Sequence, residues 1–122
     1  LDAFVMRMAP KAVAYTLAHQ VEVCGVIGVR EGVYSIRLRT TNQNAACKMS
    51  KRDVEDGYVF SGYTFHTHPS IAPPRFKGVD YEVPGYLASL RGVRMQEGKG
   101  RERFLGRFSD RQMLEMLRGH RL

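Results

Sequence analysis

"VCGVIGV", residues 23 to 29, decides the fold: it is continuously apolar and rich in β-branched side chains, as a strand covered on both faces is. Upstream, Val13, Leu17 and Val21 recur at four-residue steps with Ala14 and Ala18 beside them, and Pro10 suits a first helical turn, where its missing N–H would be unpaired anyway. The spacing predicts an amphipathic helix over residues 10–21 that packs one face on a sheet. Downstream, Glu31-Gly32 offers a tight turn, and Tyr34, Ile36 and Leu38 alternate with Ser35, Arg37 and Arg39, so a strand over 33–39 closes a hairpin.

Further out the pattern is less regular. Residues 41–57 are polar, with Ser50 and Asp53 placed to start one short helix through Asp56 that Gly57 stops. "YVFSGYTF", residues 58–65, reads as a central strand, after which Pro69, Pro73 and Pro74 make 69–77 a stiffened loop. Residues 86–90 and 93–96 pair around Gly92, and 101–107 adds a further strand. Ser109 and Gln112 form a capping box for a closing helix with Met113, Met116 and Leu117 on one face and Gly119 past its end. The order predicts an α+β or three-layer α/β domain, a mixed β-sheet flanked by helices, formed by residues 1–122 as one unit without repeat or linker.

Composition narrows the function classes. No apolar run approaches the length that crosses a bilayer, so no membrane role is expected. Cys24 and Cys47 are too few for a disulfide framework, which points to a reducing, cytoplasmic setting, with Cys24 as a small buried hydrophobe. The net charge of +7 favours an acidic partner. The basic residues are nevertheless scattered, with no recognition-helix or zinc-finger pattern, so a solvated cationic surface is the expectation and nucleic acid is not.

Chemistry concentrates in "YTFHTHPS", residues 63–70. Two histidines at i and i+2 on an extended chain point the same way, so His66 and His68 can aim both imidazoles at one ion. Zinc takes imidazole nitrogens and carboxylate oxygens, and a hydrolytic site keeps one position for water. A third ligand is therefore required, and Asp80 follows after the proline-stiffened loop, with Glu82 as the alternative. Glu22, where the first helix gives way to an apolar strand, is the candidate proton carrier outside the coordination shell, since an unpartnered buried carboxylate is costly there.

"VEVCGVIG", then "FHTHPS", then Asp80 resembles the JAMM/MPN family of zinc metalloproteases, whose pattern is a Glu-x-Cys-Gly strand start, His-x-His-Pro and a downstream Ser-x-x-Asp. The resemblance implies a three-layer, cytidine-deaminase-like JAMM core. It further implies a zinc-dependent isopeptidase or peptidase that uses a metal-activated water to cut an amide at the C-terminal tail of a ubiquitin-like or other small protein. Carried over, it assigns Zn2+ to His66, His68 and Asp80 and the proton shuttle to Glu22. Lys77 stands at the family's serine position, and the spacing from His68 to Asp80 is one residue longer than the family's. Lys77 would then supply a charge-assisted donor to the substrate oxyanion, or Ser70 would from the other end of the loop. The alternative is a catalytically inactive binding or scaffold module on the same fold. The substrate tail is expected to add as a strand at a sheet edge near His66, with selectivity supplied by a protein partner or the cationic surface, and a protein partner or a homodimer is expected.

Overall fold

A computed structural model describes residues 1–40, 47 and 49–120, the side chains of 119 and 120 excepted. The elements are α1 (Asp2–His19), β1 (Val23–Arg30), β2 (Val33–Ile36), β3 (Arg39–Thr40), β4 (Val59–Thr67), a 3-10 segment (Gly78–Glu82), β5 (Gly85–Ser89), β6 (Gly92–Gln96), β7 (Glu102–Gly106) and α2 (Asp110–His120). The fold is α+β, with two helices and a mixed sheet of seven strands among the described residues.

Helix α1 begins well before the expected residue 10. Its buried positions, Val5, Ala9, Ala12, Val13, Thr16 and Leu17, follow a single stripe through Pro10, which lies inside the helix and leaves the Met6 carbonyl without its usual donor. Burial on both sides of the proline outweighs the local loss. The helix closes on Gln20 in the left-handed region (φ 54), whose N–H donates to the Thr16 carbonyl at 2.8 Å, and the chain turns directly into β1.

The hairpin forms as expected, with Glu31 (φ 48) and Gly32 (φ 79) supplying the two left-handed positions of its turn. Gly25 allows a close approach: a Cβ there would lie 2.7 Å from the Arg37 carbonyl oxygen. Residues 33–39 are not one strand, since β2 ends at Ile36 and β3 pairs separately with Val23 and Cys24. The short helix expected from Ser50 is instead a turn, closed by the Asp53 N–H on the Ser50 carbonyl and by the Asp53 carboxylate on the Ser50 N–H, both at 2.9 Å. Part of the 41–57 segment lies outside the described residues. The expected capping box of α2 is present: the Gln112 N–H donates to Ser109 Oγ and the Ser109 N–H to Gln112 Oε1. The helix runs on through Gly119, which was expected to lie beyond it.

Among the described residues the strand order is β2-β1-β4-β5-β6-β7, with β3 on β1, and the one parallel contact, β4 with β5, shapes the molecule. This pairing joins Thr64–Thr67 to Gly85–Ala88 and carries β4 past the expected end at residue 65. Parallel neighbours need a crossover rather than a hairpin, and residues 68–84 provide it. Alternate residues of β4 face opposite sides. Phe65 enters the core with α1, and Thr67 shares a hydrogen bond with Thr16 of that helix. His66 therefore faces the other side, where Phe76 of the crossover packs against its ring. Helix α2 packs on α1, and Met116 joins the same core. Both helices thus share one side of the sheet, and the crossover, in place of a flanking helix, covers the imidazole side.

The cysteine reading needs correction. Cys24 is not a free hydrophobe but is disulfide-bonded to Cys47, which pins the irregular segment to β1 across a separation of 23 residues. Closing a loop of that length stabilises a domain by about 3 kcal/mol, which corresponds to roughly 10 °C in melting temperature for a chain of this size. Dithiothreitol, or Cys47→Ser, is expected to lower the thermal midpoint by that amount. An unchanged midpoint with both thiols demonstrably alkylated would refute the bond's structural role. No helix among the described residues is long and apolar enough to cross a membrane.

Candidate metal centre

Three elements distant in sequence meet on the imidazole face. His66 occupies the penultimate position of β4, and His68 continues the ladder one residue further, its N–H on the Ala88 carbonyl at 3.1 Å. Their ring centroids are 5.2 Å apart, so the expected convergence of the i and i+2 imidazoles is present. Glu22 stands at the entry to β1, which runs antiparallel to β4 and sets Cys24 opposite His66. That register places Glu22 beside the end of β4.

Thr67, between the two histidines, ties this corner together from beneath. Its buried hydroxyl accepts the Val23 N–H at 2.9 Å and also bonds to Thr16. The amide following Glu22 is thereby held by the residue that separates the imidazoles.

Glu22, His66 and His68 each offer a donor atom within 4.8 Å of the others. The carboxylate oxygen Oε1 of Glu22 lies 3.9 Å from His68 Nε2, and Asp80 Oδ1 lies 3.6 Å from His66 Nε2. Asp80 reaches that position from the 3-10 segment, where its other oxygen accepts the Lys77 N–H at 2.7 Å. Glu82, the alternative ligand, is exposed at the segment's end.

These separations bear on whether an ion fits. His66 Nε2 is buried and has no hydrogen-bond partner, and 3.6 Å is too long for a hydrogen bond to Asp80. Two atoms that each coordinate zinc tetrahedrally at ~2.1 Å stand ~3.4 Å apart, close to the 3.6 Å between Asp80 and His66 and shorter than the 3.9 Å between Glu22 and His68. The structure brings the expected ligands together only in part: Glu22, expected outside the coordination shell, is the carboxylate that groups with both imidazoles, whereas Asp80 approaches His66 but stands outside that group of three. Two imidazoles with a carboxylate are a donor set that zinc accepts, and the orphaned nitrogen is one that a cation would satisfy.

The electrostatics favour the metal-binding form of the imidazoles. Burial lowers the His66 pKa to about 4, with Asp80 opposing and His68 reinforcing the shift. Burial also lowers that of His68, against the pull of Asp80 and with the help of Lys77. His66 is therefore neutral at pH 7, as a ligand must be. Glu22 moves the other way: burial raises its pKa, the Asp80 carboxylate raises it further, and Lys77 opposes.

Lys77 is exposed, yet its positive charge reaches both Glu22 and His68. Its main-chain N–H, rather than its ammonium, makes the bond to Asp80. Ser70 is exposed, and its hydroxyl accepts the Ala72 N–H within its own turn. Among the described residues β4 lies between β1 and β5, so the sheet edge nearest His66 is the outer side of β3, which pairs with β1 at Cys24 opposite His66. Comparison with protein-family models, with curated proteins and with solved structures yields no match to this chain.

Proposed function

We propose that the chain is a zinc-dependent amide hydrolase of JAMM/MPN type, an isopeptidase or peptidase built on a cytidine-deaminase-like JAMM core. One observation carries the reading: the buried, unpartnered His66 Nε2 faces Asp80, with His68 and Glu22 close by. His66, His68 and Asp80 would hold the ion. A zinc ion bound there supplies Lewis-acid activation that brings the pKa of water toward roughly 7.

The chain's own part is to place charge and move a proton. Glu22 Oε1, beside His68, accepts the proton of the attacking water and returns it to the departing amine. Its raised pKa strengthens it as a base relative to a free carboxylate. Lys77 offers positive charge on the same side, suited to the developing oxyanion in place of the family's serine. Asp80, with one oxygen tied to the Lys77 N–H, presents the other in a fixed direction.

The substrate proposed is a ubiquitin-like or other protein with an extended C-terminal tail, engaged by the chain alone, as a homodimer or with a protein partner. A cytoplasmic setting is consistent with this only where reduction of Cys24–Cys47 leaves the site intact, since cytoplasmic thiols are kept reduced. The bond itself favours an oxidising compartment.

A second reading, an inactive binding or scaffold module with metal absent or only structural, draws on Lys77 standing exposed at the serine position. The two separate on one preparation: measure zinc per chain, then cleavage of an isopeptide-linked substrate with and without a chelator. Stoichiometric zinc with chelator-sensitive cleavage is expected. Zinc without hydrolysis of any amide, with hydrolysis appearing in Lys77→Ser, selects the module, and no zinc at all removes the hydrolase and leaves the module.

A further inference from the structure

The 3-10 segment that delivers Asp80 has no buried residue of its own. Its aromatic contact, the Tyr81 ring on Phe76, does not reach the Asp80 main chain. The hold on Asp80 itself is polar, and it comes from a strand that contributes no donor to the site.

Gln96, the last residue of β6, is 1 % exposed, an unusual place for a side-chain amide. Its Nε2 donates to the Asp80 carbonyl at 2.9 Å and to the Val83 carbonyl at 2.7 Å, while its Oε1 accepts the Gly98 N–H at 2.7 Å. Both hydrogens of one amide thus reach into the segment, one at the residue proposed as ligand and one just past its end. Gln96 also pairs with Gly85 across the sheet, so its backbone is part of the ladder that sets β5 and, through β5, β4 and the imidazoles.

We propose that Gln96 is the positioning residue that holds Asp80 against His66, an inference that rests on the metal-centre reading above. The amide converts the rigid geometry of β6 into a fixed location for the Asp80 main chain, and the Lys77 N–H then orients the carboxylate. A second polar tether, the half-buried Tyr81 hydroxyl donating to Glu102 at 2.8 Å, limits the segment's swing without touching Asp80 itself.

Gln96→Glu is the informative substitution because it keeps the shape and the acceptor for Gly98 while replacing both donors with an oxygen that faces two carbonyls. Zinc affinity, measured by competition with a chromophoric chelator, is expected to fall about 10- to 100-fold, the range for partners that orient a metal ligand. In the metal-free protein, amide exchange over residues 78–83 is expected to accelerate at least ~10-fold while β5 and β6 stay protected. Gln96→Asn, which withdraws the amide by one methylene, shifts both readouts the same way and serves if the glutamate variant does not fold.

A folded variant with a lowered melting temperature but unchanged zinc affinity and unchanged exchange over 78–83 overturns the proposal, since that is what a purely structural glutamine would give. If the unaltered protein takes up no zinc, the metal reading fails on its own account. The exchange measurement then decides alone whether Gln96 places Asp80.

Discussion

Glu22→Gln is expected to leave zinc bound at full stoichiometry and to cut turnover by about 10²- to 10⁴-fold, the usual contribution of a positioned proton carrier. The variant keeps the size of the side chain and an oxygen near His68 Nε2, where Oε1 now stands 3.9 Å away, but it has no basic lone pair to accept a proton. Burial and the Asp80 carboxylate already raise the Glu22 pKa, so the charge removed is one that the site carries at a cost. Glu22→Gln should accordingly be no less stable than the parent when metal-free. Full activity in the variant rules out the shuttle; loss of zinc along with activity would instead make Glu22 a ligand.

His66→Gln is expected to abolish stoichiometric zinc binding and, with it, all chelator-sensitive cleavage. The imidazole is central to the centre: Glu22 and His68 provide the other donor atoms within 4.8 Å, and Asp80 faces this ring. The loss should exceed the roughly 10- to 100-fold typical of an orienting partner. The same substitution has a second signature without metal. The His66 pKa falls from 6.5 in the reference state to about 4 in the fold, chiefly through burial. Between those values the unfolded chain binds the proton and the folded chain does not, so folding stability rises with pH across that window and is lost as pH falls through it, by up to about 1.4 kcal/mol per pH unit. Removing the imidazole should flatten this dependence. A variant that retains one zinc per chain, or whose denaturation midpoint tracks pH from 6.5 to 4 as steeply as the parent's, contradicts the assignment.

Local signals made much of the sheet legible. The apolar run of β1 and the Glu31-Gly32 turn identify a hairpin because both the strand pattern and the required left-handed positions are written in neighbouring residues. The convergence of His66 and His68 follows from the two-residue period alone. What escaped depends on partners far along the chain. The extension of β4 to Thr67 comes from parallel pairing with β5, and the start of α1 was hidden because Pro10 resembles a first-turn residue more than an interior one. Cys47 sits in a polar segment with nothing nearby to announce its bond to Cys24. Gln96 and Thr67 are the instructive omissions. A polar residue in a strand reads as solvent-facing, and only the assembled layers reveal that each satisfies buried main-chain groups next to the site.

The passage from β4 to β5 leaves one further consequence. The imidazoles are set by strand pairing and the aspartate by a latch near the far bank, so the exposed span at residues 70–73, ahead of the buried Pro74 and the Phe76 that packs on His66, bears none of the donors. It works as a bridge deck between two fixed abutments. Engineers wishing to change what this surface grips have there a stretch to lengthen or rewrite while the chemistry beneath keeps its dimensions.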